Sequence, residues 1–169
     1  EDEGFEAVFI GSGAGLPKFM GISGENANGV LSANEFLTRV NLMKAFKEEY
    51  HTPVKIGKRV AVVGGGNVAM DAARTAKRNG AEEVSILYRK GMENIPATKA
   101  ELDGAISDGI NFELFKSPIE LLDEGVKYIE TKNEVDENGK INTVNIDGRE
   151  GVFECDSIKI GRASCRERV

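Results

Sequence analysis

Residues 59–90 read R-V-A-V-V-G-G-G-N-V-A-M-D-A-A-R-T-A-K-R-N-G-A-E-E-V-S-I-L-Y-R-K, and this stretch decides the fold. An apolar run at 60–63 ends in Gly64, Gly65 and Gly66. A helical pattern begins at once, with Val68, Ala72, Ala73 and Ala76 on one apolar stripe. A second apolar run at 84–87 ends in Tyr88, Arg89 and Lys90. Strand, glycine turn, helix and strand in this order predict an α/β, doubly wound (Rossmann-like) sheet that offers a helix N-terminus to a dinucleotide pyrophosphate.

Each part of the pattern has a physical reason. Gly64 can turn sharply out of the strand because it has no Cβ. Gly66 lets backbone approach a phosphate, and Ala69 is the small third position where helix and strand must pack closely. The free amides of the first helical turn, from Gly65 and Gly66 through Asn67 and Val68, face the anion. Asp71 lies early in the helix and Arg74, Lys77 and Arg78 lie late, matching the helix dipole. Gly80 stands where a helix C-cap belongs.

The end of the second strand selects the cofactor. A site for NAD usually places Asp or Glu there, bonded to the ribose hydroxyls. This chain has Tyr88-Arg89-Lys90 instead. Guanidinium and ammonium groups attract a 2′-phosphate that a carboxylate would repel. The reading is therefore NADP(H), with Arg89 also able to stack on adenine.

The chain has 169 residues, 40% hydrophobic and 30% charged, enough for one domain and marginal for two. Its net charge of −6 argues against nucleic acid or acidic membranes as partners. No apolar run is long enough to span a bilayer and no signal peptide is visible. Cys155 and Cys165 are the two cysteines, without a C-x-x-C, which points to a reducing, cytoplasmic setting. One histidine, His51, beside Pro53, suggests no metal site. The chain opens on Glu1-Asp2-Glu3 without an initiator Met, which suggests an internal fragment.

Residues 5–10 read as a buried strand, followed by Gly11-Ser12-Gly13-Ala14-Gly15 and then loop signals rather than a helix. The stretch 5–24 is expected to be loosely held, since its strand has no complete sheet to join. Ser32 and Glu35 form a capping box, and Phe36, Val40, Met43, Phe46 and Tyr50 continue a helical stripe to about residue 50. A domain junction is placed in the 51–58 connector, giving a flanking domain at 1–52 and a nucleotide domain at 53–159. Thr98 and Glu101 open a second helix with Leu102, Ala105 and Ile106 inward. Strands are expected at 111–115, 119–122, 126–131, 141–146 and 152–155, with turns at 136–139 and 147–148, forming an antiparallel β-meander.

Two blocks carry a family resemblance. E-A-V-F-I-G-S-G-A-G-L-P-K-F-M-G-I-S-G-E at 6–25 and S-A-N-E-F-L-T-R-V-N-L-M-K-A at 32–45, together with the 60–78 segment and Tyr88-Arg89-Lys90, resemble the small, flavin-containing subunit of NADPH-dependent glutamate synthase. The same pattern is similar to the NADPH-binding subunit of the electron-bifurcating ferredoxin:NADP oxidoreductase, also called sulfide dehydrogenase. The flavin half of dihydropyrimidine dehydrogenase is a more distant likeness. The resemblance spans residues 4 to about 158. It implies two interleaved dinucleotide domains, with Gly11, Ser12, Gly13 and Ala14 on the FAD side. Gly64, Gly65, Gly66, Asn67 and Val68 would hold the NADPH pyrophosphate, and Arg89 and Lys90 the 2′-phosphate. Hydride passes between nicotinamide and flavin in such proteins, so no catalytic acid or base is assigned. Electrons then leave through iron–sulfur clusters, whose ligands, like most of the FAD site, lie outside this stretch. The implied partners are a large glutaminase/synthase subunit or an electron-transfer subunit. A non-catalytic nucleotide-binding module is the alternative from another class.

Ser23 and Lys90 depart from the family pattern, which has proline and a second arginine there. The tail departs more. Residues 160–169, I-G-R-A-S-C-R-E-R-V, match one reading frame of a sequencing-library adapter. They are set aside as read-through, with Cys165, against the alternative of a genuine basic tail.

Overall fold

The computed structural model describes residues 17–137 and 141–161. The strand expected at 5–10 and the residues Gly11, Ser12, Gly13 and Ala14 lie outside the described residues, as does Cys165.

Among the described residues the central feature is a five-stranded parallel sheet, in order β1 (Val30–Ser32), β8 (Ser157–Ile160), β2 (Arg59–Val63), β3 (Glu83–Tyr88), β4 (Asn111–Leu114). Helix α2 (Asn67–Arg78) connects β2 to β3, as the sequence pattern requires. Its alanine stripe is completely buried against the sheet at Ala69, Ala72, Ala73 and Ala76. Asn79 and Gly80 close the helix, with Gly80 at φ 100° and its amide on the Lys77 carbonyl. Helix α3 (Lys99–Ser107) starts at Thr98, whose hydroxyl accepts the Glu101 amide.

Among the described residues the helices share one face of the sheet, over a core containing Phe36, Val60, Val62, Met70, Ile86 and Ala105. The other face is covered by a three-stranded antiparallel sheet of β5 (Lys116–Leu122), β6 (Gly125–Val135) and β7 (Ile141–Glu154). There Leu121 and Val126 meet Ala61, Val63, Leu87, Ile158 and Ile160. The meander is thus present as expected. All three of its strands are longer than local signals suggest. Pro118 sits inside β5 at a register shift, and the Asp147-Gly148 turn is absorbed as a bulge within β7.

Five features differ from what the sequence suggests. First, the helical stripe does not reach residue 50. Helix α1 (Ala33–Leu37) passes into a π-helical turn at Thr38–Leu42 and stops. Phe36 and Val40 are buried, but Met43, Phe46 and Tyr50 are exposed. Lys44, at φ 53°, breaks the periodicity that composition alone implied. Second, the Ile106 side chain faces outward, while Leu102 and Ala105 face the core. Third, the parallel sheet runs across the junction expected at residues 51–58: β1 pairs with β8, and Ala33, Phe36 and Val40 share the core of α2. A three-residue strand is too short to leave a periodic signal, so its membership is visible only through its partner.

Fourth, Ile160 and Gly161 belong to the fold. Ile160 is buried, paired in register with Val63 on one side and Ser32 on the other. Gly161 donates its amide to the Val63 carbonyl at 2.8 Å. Lys159, between them and Ile158, is completely buried. Its ammonium donates to the Lys55 carbonyl (3.1 Å) and the Ser157 hydroxyl (2.7 Å) and lies 4.9 Å from the Phe36 ring centroid.

The docked loop at 17–25 also differs from the loosely held stretch expected there. Ser23 bridges to Glu120 of β5, and the Leu121 amide donates to the Ser23 carbonyl at 2.9 Å.

Candidate functional site

The carboxyl ends of β8, β2 and β3 converge on one cavity of about 730 Å³. Gly161, Val63 and Leu87 line its floor, at the place where the strand order reverses direction. Open α/β sheets bind ligands at such a point.

The glycine turn enters the cavity from β2. Gly64 takes φ 128°, a conformation that favours glycine, while its amide remains on the Leu87 carbonyl at 3.0 Å. Gly65 is buried beneath Tyr88 and Pro96: a Cβ there would lie 2.9 Å from the Tyr88 ring and 3.3 Å from the proline Cδ. Gly66 is the N-cap of α2, and a Cβ there would meet nothing within 4 Å. The first intrahelical hydrogen bonds run from the Ala69 and Met70 amides to the Gly66 carbonyl, leaving Asn67 and Val68 in the unbonded first turn. Among the three glycines, then, Gly64 serves the turn, Gly65 the packing of its neighbours, and Gly66 faces open space.

Asn67, read as a phosphate-facing residue, uses its side-chain oxygen to accept the Thr98 amide at 2.9 Å. The Ala97 amide donates to the Gly65 carbonyl at 3.1 Å. These two bonds fasten the loop carrying Pro96 to the glycine turn. The Tyr88 hydroxyl donates to the Asn94 carbonyl at 2.8 Å, holding the ring over Gly65. Burial raises the Tyr88 phenol above its usual range, so it stays a neutral donor.

Arg89 and Lys90 line the same cavity as the glycines. Their side chains form no hydrogen bond or ion pair with the described residues. Their backbones, by contrast, are pinned by β6 and by the residue that joins β4 to β5. The Thr131 hydroxyl donates to the Arg89 carbonyl at 2.7 Å, and the Phe115 amide donates to the Lys90 carbonyl at 3.3 Å. A fixed backbone under two cations that no described residue neutralises is suited to holding an anion. The predicted residues Gly64, Gly65, Gly66, Asn67, Val68, Tyr88, Arg89 and Lys90 therefore come together around one cavity.

Sequence reasoning missed Lys18, Met20 and Ile22 from the loop before the sheet, and Ser117 and Pro118 from β5. No periodic signal marks them, although Lys18, Met20 and Ile22 fall within the 6–25 block that carries the family resemblance. They reach the cavity only because the loop and the meander dock on the second face of the sheet. Among the described residues no cluster of His, Cys, Asp and Glu could hold a metal. Cys155 is buried and free, and burial pushes its thiol up to about 11, which suppresses thiolate chemistry.

A family model described as pyridine nucleotide-disulphide oxidoreductase matches residues 1–162. The chain belongs to this family. The match extends past Lys159, in keeping with the strand seen at Ser157–Ile160. Similar proteins include the NADPH-Fe(3+) oxidoreductase subunit beta of Geobacter sulfurreducens, 37% identical over 164 residues, covering 91% of this chain and 23% of that protein. The glutamate synthase [NADPH] small chain of Halomonas elongata is 34% identical over 165 residues, covering 94% of this chain and 35% of that protein. The chain thus spans a quarter to a third of the length of these oxidoreductase relatives. Mycobacterium tuberculosis FprA, solved in complex with NADPH, has a similar fold, with a TM-score of 0.66 at 20% identity over 94% of this chain and 50% of that one. As a member of the pyridine nucleotide-disulphide oxidoreductases, the chain has the mixed parallel and antiparallel α/β architecture predicted from its sequence. Among the described residues no helix is long and apolar enough to cross a membrane.

Proposed function

We propose that this chain is the NADPH-binding section of a flavin-dependent oxidoreductase subunit of the glutamate synthase small-chain type. The observation that carries the reading is the pair of cations, Arg89 and Lys90, without a side-chain partner among the described residues and beside a glycine turn whose Gly66 opens into the same cavity. The fit to NADPH follows from charge and space. The first turn of α2 receives the pyrophosphate, Arg89 and Lys90 receive the 2′-phosphate, and Tyr88 and Pro96 wall the adenine side. NADPH, when bound, supplies a hydride for flavin, while these residues bind and orient it.

In the whole protein, residues 1–52 include part of an FAD-binding domain, with Gly11, Ser12, Gly13 and Ala14 along its cofactor. Iron–sulfur clusters held elsewhere carry the electrons to a partner subunit, and the setting is the reducing cytoplasm. A second reading keeps the cofactors and changes the acceptor to ferredoxin or a metal centre. The likeness to a protein named NADPH-Fe(3+) oxidoreductase subunit beta supports keeping it.

Calorimetry of the 169-residue chain with NADPH and NADH tests the cofactor assignment. Arg89→Ala should weaken NADPH binding by roughly 1.5–3 kcal/mol and leave NADH nearly unchanged. Equal losses for the two cofactors would overturn it.

A further inference from the structure

We propose that Lys18 is a third cation of this site, its ammonium holding a phosphate oxyanion of the bound dinucleotide. The inference rests on the NADPH reading above and extends it to a residue outside the βαβ unit.

Among the described residues, the cavity lining contains Lys18, Arg89 and Lys90 and no carboxylate, within a chain whose net charge is −6. Such a local excess of positive charge calls for an anionic occupant. Lys18 forms no hydrogen bond or ion pair with the described residues. NADPH carries two anionic groups, the pyrophosphate and the 2′-phosphate. Arg89 and Lys90 sit together at the end of one strand, so they can serve one of these groups well. Lys18 approaches from a different element and adds charge that helix amides alone do not supply.

The loop that carries Lys18 is built to hold it there. Both carboxylate oxygens of Glu25 accept backbone amides, from Met20 at 2.6 Å and Gly21 at 2.9 Å. Met20 and Ile22 pack into the apolar cluster of Val63 and Leu87, the last core residues before the glycines and before Tyr88. Gly24 lies so tightly on β5 that a Cβ would fall 2.0 Å from the Leu121 carbonyl oxygen. Lys18 is therefore two residues from an anchored backbone, with a flexible stem reaching into the cavity. A consequence is coupling: the occupied site ties the 17–25 loop to the sheet.

The test compares Lys18→Ala, Lys18→Arg and Arg89→Ala in the full chain, titrated with NADPH, NADH and adenosine 2′-monophosphate at several salt concentrations. Lys18→Ala should weaken NADPH about tenfold and flatten the salt dependence, while Lys18→Arg should retain most of the affinity. An equal loss for NADH identifies the pyrophosphate as the bound group. A loss confined to NADPH and adenosine 2′-monophosphate identifies the 2′-phosphate. Hydrogen exchange supplies a readout that a purely structural role would not move. NADPH should slow exchange at Met20 and Gly21 in the wild type and not in Lys18→Ala, whose ligand-free exchange should match the wild type. Unchanged NADPH affinity in Lys18→Ala, with Arg89→Ala impaired as expected, overturns the Lys18 assignment alone. A wild-type chain that binds no NADPH overturns both readings.

Discussion

A Cβ placed on Gly161 would lie 2.6 Å from the Cβ of Ala69, so the end of β8 and the first turn of α2 meet at backbone distance. Ala69 is the small third position of the glycine fingerprint, and Gly161 is what requires it to be small. The same Cβ would sit 3.0 Å from the Val63 carbonyl oxygen. Gly161→Ala should therefore destabilise the chain by about 1–3 kcal/mol through overpacking. Adding Ala69→Gly should recover part of that loss, less about 1 kcal/mol for glycine in a helix. Urea unfolding of the single and double variants checks the coupling, and strictly additive losses would contradict it.

Truncation after Lys159 gives a related outcome. Removing Ile160 takes a buried side chain from between β1 and β2. A loss of about 2–5 kcal/mol is expected from the missing apolar group alone. A truncated chain with an unchanged melting temperature would show that the strand end contributes nothing.

Gly65 and Gly66 should separate stability from binding. Gly66→Val places its side chain in open cavity space, so the fold should survive and NADPH binding should vanish. Gly65→Val would drive into Tyr88 and Pro96 and should lower stability by about 1–3 kcal/mol. Thermal melts paired with calorimetry distinguish the two. A Gly66→Val chain that binds normally would reduce the glycines to a plain turn.

Lys159 predicts an unusual alkaline dependence. Burial, reinforced by the nearby Lys55 charge, lowers its ammonium from the ordinary 10.5 to about 8. Between these values the unfolded chain binds more protons than the folded one, so stability should rise with pH from about 8 to 10.5 and be flat for this group below that window. Lys159→Met should remove the slope and raise stability at neutral pH by a few kcal/mol, on the order of the free energy of the shift. Urea denaturation at pH 7 to 10.5 measures it. A wild-type curve that is flat throughout would refute the role of the buried amine.

Arg74 joins α2 to α3. Its Nε donates to Asp108 at 2.9 Å and its Nη1 to Glu101 at 3.0 Å, and Gly104 leaves room for the guanidinium. The Arg74 hydrogen bond is the main reason the Asp108 carboxyl sits below its ordinary value of 3.8, with the Arg78 charge contributing further. A lowered carboxyl contributes stability above that value, and the contribution is lost as pH falls through the folded one. In Arg74→Ala the Asp108 titration should move upward, with a weaker loss of stability in acid. Carboxyl-carbon NMR titration checks the shift, and an unmoved Asp108 would assign its lowering to Arg78 alone.

The sequence by itself determined the βαβ unit, because three alternating periodicities stand side by side between residues 59 and 90 and local sterics require glycine at 64. The cation pair was legible for the same reason: it follows an apolar run directly. The order of the parallel strands was not. β8 lies 94 residues after the end of β2, counting from Val63 to Ser157, yet fits between β2 and β1. Parallel pairing joins segments distant in the chain, so no local signal announces it. Likewise Phe46 and Tyr50 keep helical spacing with Phe36 and are nonetheless exposed, since periodicity records what could face a core but not whether one is there. Tertiary structure alone decided that Ile160 and Gly161 complete the sheet, that Thr131 and Phe115 pin the backbone of the cation pair, and that Lys18 faces the same cavity. The first depends on parallel pairing across the chain, and the other two on a second layer docking on the sheet. The contacts that set it lie between side chains far apart in sequence, where only packing brings them together.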